Sequence, residues 1–248
     1  MTGTLFTLFC GLVFGSFVTC ASYRLPRGED VALKASRCTR CEAKLGFKDL
    51  WPVLSWLISK GQCRHCGTRV SVRYPVIELV TAVLFLLIYS QYGLTAQGIL
   101  LALMSVALLI MIIVDLEHYI IPDEIHYALL PLGLIWHFVI GTPPLDVAEG
   151  LLIGLVIGLT LRYGYRVLRR KEGLGFGDVK FFAVAGLWLT PCPIVPFLFF
   201  SGVFGILTGL LWRLLGRGVC FPFGPALAVA LFLGIAFPEI YDLLWHIG

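Results

Sequence analysis

Charged side chains are scarce in this sequence. Only 14% of its 248 residues are Asp, Glu, Lys or Arg, whereas 58% are apolar, and the mean hydropathy is +0.90. A water-soluble domain of ordinary composition carries about 25% charged residues. The shortage therefore excludes such a domain and indicates a polytopic membrane protein.

Basic residues are also missing from the start of the chain. No Lys or Arg precedes the first apolar run at 2–23, and the first basic residue, Arg24, follows it. A secretory signal peptide begins with positive charge, so we interpret this run as a retained transmembrane helix.

The apolar residues fall into long runs of the size needed to cross about 30 Å of hydrocarbon. These runs lie at 2–23, 76–92, 95–114, 124–140, 147–168, 195–212 and 223–245, with a shorter one at 181–190. We predict an all-α polytopic fold of about eight transmembrane helices. The short run is interpreted as a thin or partly broken crossing that leaves a water-accessible hollow beside Asp178.

The distribution of positive charge predicts the orientation. All 19 Lys and Arg residues lie in three regions, at 24–73, at 162–180 and at 213–217, and none lies in the connections at 93–94, 141–146 and 191–194. Because basic loops stay in the cytoplasm, the N-terminus is expected outside the cell. The net charge of +4 is then a topology signal, and no nucleic-acid partner is expected.

This pattern divides the chain into three parts. They are a first transmembrane helix at 1–23, a cytoplasmic loop at 24–74, and a membrane domain of seven helices at 75–248 that carries an aspartate pair.

The cytoplasmic loop contains two CxxC motifs, Cys38 with Cys41 and Cys63 with Cys66. Paired motifs of this kind can enclose a tetrahedral zinc ion, and a short loop with little core needs such a link. Disulfides are disfavoured in the cytoplasm, and redox catalysis normally needs a thioredoxin-like frame. We therefore predict a structural Zn²⁺ site. The remaining cysteines show no ligand spacing and are interpreted as packing residues: Cys10, Cys20, Cys192 and Cys220.

Between the motifs, residues 50–58 carry an apolar stripe of helical period. Trp51 and Trp56 on this segment are suited either to the membrane interface or to packing against the zinc module, and the sequence leaves both open.

Two aspartates, Asp115 and Asp178, lie where apolar runs meet water on the same predicted side. Carboxylates at the membrane edge are costly and indicate chemistry, ion or proton relay, or structural pairing. Two adjacent carboxyl groups share a proton, which suits peptide hydrolysis. Gly175 and Gly177 would let an extended substrate approach Asp178 closely. The residues alone leave these alternatives open.

Several nearby residues have two interpretations. Lys180 either holds a carboxylate ionised or anchors the topology. Asp123 either enters the site or, as we favour, caps the following helix. Glu78 is either functional or merely interfacial, and His118 is expected to be a solvated loop residue.

Taken in order, the motifs resemble those of one family, the type IV prepilin leader peptidases, also called prepilin peptidase/N-methyltransferases, which are intramembrane aspartic proteases of the GxGD type. The resemblance spans nearly the whole chain. It rests on Gly15-Ser16-Phe17, Tyr23-Arg24-Leu25-Pro26, the paired CxxC motifs around Pro52-Val53-Leu54-Ser55-Trp56-Leu57, Arg73-Tyr74-Pro75-Val76-Ile77-Glu78, Ile121-Pro122-Asp123, Gly175-Phe176-Gly177-Asp178-Val179-Lys180 and Pro222-Phe223-Gly224-Pro225.

The resemblance implies that Asp115 and Asp178 are catalytic and that the four cysteines bind zinc. It implies prepilin and pseudopilin substrates, cleaved after a glycine at the cytoplasmic face of the bacterial inner membrane. It also implies N-methylation by S-adenosylmethionine, although Thr19 stands where the family often has asparagine, and the methyl-donor site is not identified. The lipid bilayer is an expected partner, and the sequence leaves a homo-oligomer open. The alternative function is a proton- or cation-coupled transporter that uses the aspartate pair.

Overall fold

The computed structural model describes residues 2–31, 34–171, 173–218 and 220–245, so the ends of the predicted domains at residues 1 and 246–248 lie outside the described residues. Within those ranges the chain is nearly all helical, with two isolated β-bridges and no strands. The helices are α1 (Thr2–Arg24), α2 (Leu54–Ile58), α3 (Arg73–Tyr92), α4 (Ala96–His118), α5 (Asp123–Ile140), α6 (Pro144–Arg169), α7 (Phe176–Leu189), α8 (Ile194–Leu214), α9 (Gly224–Ala236) and α10 (Pro238–Trp245).

The predicted all-α membrane fold is confirmed. In the part of the chain that the structure describes, five helices are long and apolar enough to cross a bilayer, namely α1, α3, α4, α6 and α8. Apolar side chains such as Phe9 and Ile206 are 59% and 72% exposed, as lipid-facing residues would be. The count of about eight crossings is not confirmed, because the other helices are shorter or less apolar.

Two predicted segments are divided differently in the structure. The run at 223–245 breaks into α9 and α10 at Phe237, because Pro238 disfavours helical geometry in the residue before it and lacks an N–H. The predicted stripe at 50–58 is helical only in α2, and the preceding Val53 has a left-handed φ of 58°.

The chain forms two compact units, Met1–Ile110 and Met111–Gly248, here called the N-terminal and C-terminal units, with the boundary inside α4. In the N-terminal unit α1 packs against α3. A Cβ on Gly11 would lie 2.6 Å from the Cα of Ala82, and one on Gly15 would lie 2.5 Å from the Cα of Glu78. The two glycines therefore permit this close contact between the backbones.

A buried arginine fixes the start of the loop in the same unit. The guanidinium of Arg24 donates hydrogen bonds to the backbone carbonyls of Asp30, Val31, Lys34 and Ala35, at 3.1, 3.4, 2.7 and 3.1 Å. These carbonyls are neutral, but they accept hydrogen bonds from the guanidinium of an arginine that is only 8% exposed. Arg24 is thus a structural residue as well as a positive charge at the end of α1.

In the C-terminal unit α7 is largely buried, with Phe181 and Trp188 almost fully enclosed. It packs against α6, whose Gly150, Gly154 and Gly158 face the α7 backbone without intervening side chains. The short run at 181–190 was predicted to be thin or partly broken. It is short, about 21 Å for 14 residues, but it is a continuous helix, so the broken alternative is wrong.

Candidate aspartate and cysteine sites

Asp115 lies in the last turn of α4 and is 5% exposed. Its Oδ2 accepts a hydrogen bond of 2.7 Å from the backbone N–H of Gly224, the first residue of α9. The first N–H groups of a helix have no partner within the helix and carry partial positive charge. The start of α9 therefore holds the Asp115 carboxyl group in a fixed position.

Asp178 lies in the first turn of α7 and is half-buried. Its Oδ2 accepts a hydrogen bond of 3.0 Å from the N–H of Gly175, which precedes the helix. Asp178 also lies near enough for its charge to act on the carboxyl group of Asp115. The C-terminal unit thus brings the two predicted aspartates into one electrostatic environment, although they come from separate helices.

The glycines beside these carboxyl groups have a steric reason in the structure. A Cβ on Gly175 would lie 2.9 Å from Oδ2 of Asp178, and one on Gly224 would lie 2.7 Å from Oδ2 of Asp115. A Cβ on Gly177 would crowd the side chain and carbonyl of Ile121, at 3.1 and 3.3 Å. Their small size therefore serves the placement of the carboxyl groups and of the GxGD turn, whereas substrate approach remains a prediction.

Lys180 and Asp123 form an ion pair, with Nζ 2.7 and 2.8 Å from the two carboxylate oxygens. The pair joins the N-terminal part of α7 to the first turn of α5. The favoured interpretation of Asp123 as a helix cap is wrong, because Pro122 occupies the N-cap position and Asp123 is already helical. The lysine therefore pairs with Asp123, whose side chain is directed to α7 rather than to its own helix start.

Sequence reasoning missed His126. This histidine is only 3% exposed, and its Nε2 lies 3.1 Å from the carbonyl oxygen of Gly177. Its Nδ1 is 3.9 Å from Asp123, too far for a hydrogen bond, and is buried without a hydrogen-bond partner. Because Nε2 must carry the proton to donate to a carbonyl, His126 supports the turn that precedes Asp178. His118, in contrast, is exposed as predicted, but it is the last residue of α4 rather than a loop residue.

The four cysteines of the N-terminal unit converge, and their sulfur atoms all lie within 4.8 Å of one another. Each CxxC motif forms a tight turn closed by a β-bridge, Arg37 with Lys44 in the first and Gln62 with Arg69 in the second. The Sγ atoms of Cys38 and Cys66 are 3.9 Å apart. A tetrahedral zinc with Zn–S bonds of about 2.3 Å places its sulfurs about 3.8 Å apart, so the cluster fits a metal ion of this kind.

Hydrogen bonds favour the ionised form of two of these thiols. The hydroxyl of Thr68 lies 3.4 Å from Sγ of Cys66 and, with the Thr68 N–H, lowers the pKa of that thiol to about 6. The backbone N–H groups of Cys41 and Arg40 lower the pKa of Cys38. Thiolates are the form that binds metal, so these hydrogen bonds favour metal binding at Cys38 and Cys66, whereas the pKa of Cys41 is raised to about 11, in part by the neighbouring thiols.

The two tryptophans between the CxxC motifs lie in different environments. The sequence left open whether they face the membrane interface or pack against the zinc module. Trp56 donates from Nε1 to the carbonyl of Val70 at 3.0 Å and covers Gly61, so it packs against the cysteine module. Trp51 is 47% exposed and makes an edge contact with Phe47. Only Trp51 remains available for a membrane interface.

The remaining cysteines are free thiols. Cys10 and Cys20 are half-buried, whereas Cys192 and Cys220 are exposed. The packing interpretation is therefore wrong for the last two.

Glu78 and Thr19 are both buried in the N-terminal unit, at 6% and 4% exposure, and line one cavity of about 730 Å³. The Thr19 hydroxyl donates to the carbonyl of Ser16 at 2.7 Å. The residue that departs from the resembled motif therefore lies at a cavity wall.

Two family models match consecutive parts of the chain. Residues 9–92 match the bacterial peptidase A24 N-terminal domain, and residues 101–210 match the type IV leader peptidase family. The first match contains the cysteine cluster and the second contains both aspartates.

Named relatives match over most of their length. The chain is 32% identical to a prepilin leader peptidase/N-methyltransferase of Pseudomonas putida, over 93% of this chain and 90% of the relative. It is 31% identical to a type 4 prepilin-like proteins leader peptide-processing enzyme of Escherichia coli, over 88% of each. A prepilin leader peptidase/N-methyltransferase of Neisseria gonorrhoeae is 32% identical, over 89% of this chain and 85% of the relative.

No solved structure matches the chain. The transporter alternative is not supported, since the matching families and relatives are peptidases. Identity above 30% over most of both chains, together with matches to both family models, shows that this membrane protein belongs to the type IV leader peptidase family.

Proposed function

We propose that this protein is a prepilin peptidase in which Asp115 and Asp178 cleave the leader of type IV prepilins and type II secretion pseudopilins after a glycine. The observation that carries the proposal is the arrangement of the two carboxyl groups. Each is held by a backbone N–H at the start of a different helix, and the two interact electrostatically. A pair of this kind suits aspartic protease chemistry, and the relatives' names support the substrate.

In this mechanism the two carboxyl groups share one proton before the reaction. The ionised group removes a proton from water, whose oxygen attacks the scissile carbonyl carbon. The protonated group gives its proton to the carbonyl oxygen, which yields a tetrahedral diol. The C–N bond then breaks as the aspartate that took the proton from water gives it to the leaving amine, and the other aspartate recovers a proton from the diol, which becomes the carboxylic acid product. The burial of Asp115 and the partial burial of Asp178 favour this sharing, because two unscreened negative charges repel strongly in a poorly solvated site.

The proposed location is the bacterial inner membrane, with the N-terminus outside and the aspartates at the cytoplasmic face. The positive-inside distribution of Lys and Arg supports this orientation. A prepilin has an apolar stem and a basic leader, so a bilayer-inserted precursor would present its cleavage point at the depth of the two aspartates. The ion pair between Lys180 and Asp123 and the hydrogen bond from His126 are proposed to hold the GxGD turn in position for this substrate.

Two cofactors complete the proposal. Zn²⁺ bound by Cys38, Cys41, Cys63 and Cys66 would fix the two turns of the cytoplasmic loop, since the sulfur spacing fits a tetrahedral ion. S-adenosylmethionine, when bound, would supply an electrophilic methyl group for the new N-terminal amine. The names of the relatives support this second activity.

The experiment that tests the proposal measures cleavage of a prepilin in proteoliposomes by the wild type, Asp115→Asn and Asp178→Asn. Methyl incorporation from labelled S-adenosylmethionine into precleaved pilin is followed in parallel. Asparagine keeps the shape and the acceptor for Gly224 or Gly175 but removes the shared proton, so cleavage is expected to fall by at least about 1,000-fold in each variant. Methyl transfer is expected to persist.

Two controls make the result decisive. Thermal stability close to that of the wild type shows that the loss is chemical, and Asp146→Asn, at the start of α6, is expected to cleave normally because its first-turn carboxylate lies outside the proposed dyad. Retained cleavage in either dyad variant would overturn the two-aspartate mechanism.

A further inference from the structure

The C-terminal end of α4 carries backbone strain close to Asp115. Tyr119 directly follows the last residue of this helix and has a left-handed φ of 56°. Glycine is the usual residue at such a position, because a Cβ makes the left-handed conformation unfavourable. The N–H of Tyr119 donates a hydrogen bond of 2.9 Å to the backbone carbonyl of Asp115. The strained residue therefore closes the helical turn that carries the aspartate.

The side chain of Tyr119 joins this turn to α8. Its hydroxyl oxygen accepts a hydrogen bond of 3.1 Å from Nε1 of Trp212, and the two rings meet edge to face with centroids 6.3 Å apart. Trp212 lies in the last turn of α8 and is 7% exposed. The guanidinium of Arg217 lies over the indole, 4.7 Å from its centroid. The tryptophan is thus a supported partner, and its indole N–H is satisfied by the tyrosine.

Asp115 is consequently held at two points by one pair of helices. The helices α8 and α9 pack against each other. The start of α9 binds the carboxyl group through the N–H of Gly224, and the end of α8 reaches the backbone of Asp115 through Trp212 and Tyr119. The last turn of a helix frays easily, and a side chain on it moves with the turn. Contacts to both the backbone and the carboxyl group restrict this movement.

The identity of residue 119 needs an explanation beyond the helix end. Glycine would adopt the same backbone without strain, but it could offer neither a hydroxyl acceptor nor a ring to Trp212. Strain of this kind persists where the surroundings impose it, and it is found preferentially at functional sites.

We propose that Tyr119 is a positioning residue for peptide hydrolysis. Its contact with Trp212, here called the Tyr119–Trp212 clamp, holds the last turn of α4 so that the Asp115 carboxyl group stays where it can exchange a proton with water or the scissile carbonyl. The inference rests on the proposed function, because it assigns no chemistry of its own to Tyr119.

The first test is Tyr119→Gly, which relieves the backbone strain and removes the clamp together. Thermal stability is expected to change little, since the relief of strain offsets the lost ring contacts. A displacement of about 1 Å at a catalytic group costs about 100-fold in rate, so kcat for prepilin cleavage is expected to fall by about 10- to 100-fold. KM should stay within about threefold of the wild-type value, because substrate binding is not altered. A rise in KM with unchanged kcat, or a loss of activity that only follows unfolding, would overturn the positioning role.

Arg170→Gly is the matched control. Arg170 ends α6 with φ 53°, and its N–H donates 2.9 Å to the carbonyl of Arg166, so the substitution relieves the same kind of strain at another helix end. Cleavage at the wild-type rate is expected. An equal loss of kcat in Arg170→Gly and Tyr119→Gly would show that the effect is not specific to the clamp.

A double-mutant cycle tests whether Tyr119 acts through Trp212. Tyr119→Phe and Trp212→Phe each remove the hydrogen bond and keep an aromatic ring, and each is expected to lower kcat by about tenfold. The combined variant should also lose about tenfold, because both substitutions remove one shared contact. Additive losses that reach about 100-fold would overturn the proposed coupling.

Hydrogen exchange tests the clamp without relying on proteolysis. In Trp212→Phe the amide of Tyr119, which donates to Asp115, is expected to exchange at least about tenfold faster than in the wild type. Unchanged exchange would overturn the clamp. Retained cleavage by Asp115→Asn would instead overturn the proposed function, whereas an inactive Asp115→Asn beside a fully active Tyr119→Gly would overturn this inference alone.

Discussion

The cysteine cluster and the aspartate pair are held in place by opposite means. The cysteines lie in one loop, and each turn is closed by hydrogen bonds within a few residues, such as those from the N–H of Cys38 to Ala43 and from the N–H of Cys63 to Thr68. The aspartates lie on separate helices, and each carboxyl group is held by a backbone N–H at a helix start. The cysteine cluster is thus assembled locally and could hold a metal ion, whereas the aspartate pair is assembled by the tertiary packing of α4, α7 and α9.

This difference has an energetic consequence. Four thiol groups around one point repel when ionised, so we expect a bound metal ion to stabilise the two cysteine turns together. The carboxyl groups need no metal, because the N–H groups of Gly224 and Gly175 partly compensate their charge. Removing metal should therefore damage the first site and leave the second intact.

The largest effect is expected from a substitution that removes one of the proposed metal ligands. Cys63→Ser removes one thiolate of the cluster, and zinc affinity is expected to fall by at least about 1,000-fold. Metal content measured by elemental analysis should drop, and hydrogen exchange at the amides of Cys38 and Cys63 should accelerate. The helices of the C-terminal unit should keep their protection.

The matched control is Cys192→Ser, which replaces an exposed free cysteine of the C-terminal unit and should retain the metal. A Cys63→Ser protein with wild-type metal content would show that this cysteine is not a ligand.

The second-largest effect is expected from a substitution that disturbs the aspartate site alone. Gly224→Ala places a Cβ 2.7 Å from Oδ2 of Asp115, so the carboxyl group must move away from the N–H that holds it. A displacement of about 1 Å at a catalytic group costs about 100-fold in rate, which is the decrease expected in kcat for prepilin cleavage. Metal content should not change.

Gly202→Ala provides the control for this experiment. It makes the same substitution within α8, where an added Cβ meets nothing within 4 Å, and alanine is a better helix former than glycine. We expect unchanged cleavage and slightly higher stability. Equal activity of Gly224→Ala and Gly202→Ala would show that contact with the start of α9 does not position Asp115.

The contrast between the sites also explains what could be predicted from the sequence. The cysteine cluster follows from the spacing within one loop, and the apolar runs predict most helices because hydrophobicity is a local signal. The bond from Gly224 to Asp115, the pairing of Lys180 with Asp123 and the support from His126 join residues distant in the chain. Composition and periodicity carry no information about such pairings.

Errors arose where a local rule competed with tertiary packing. Asp123 has the sequence context of a helix cap, yet Lys180 binds its carboxylate and Pro122 takes the cap position. The short apolar run of α7 has too few residues for an ordinary crossing, and its continuity is explained by burial among neighbouring helices.

The smallest effect is expected within the cysteine loop itself, where the two turns carry different residues at one corresponding left-handed position. The second turn has Gly67 with φ 69°, and the first has Glu42 with φ 56°, each directly after the second cysteine of its motif. A left-handed conformation costs a residue with a Cβ about 1–2 kcal/mol, whereas glycine adopts it freely but loses more entropy on folding. Glu42→Gly is therefore expected to stabilise the loop by about 1 kcal/mol or less, which corresponds to an increase in zinc affinity of up to about fivefold in a competitive chelator titration. Glu42→Gln keeps the backbone strain and removes the charge, so it should leave the zinc affinity near that of the wild type. An equal gain in zinc affinity from both substitutions would show that charge, rather than backbone strain, distinguishes the two turns.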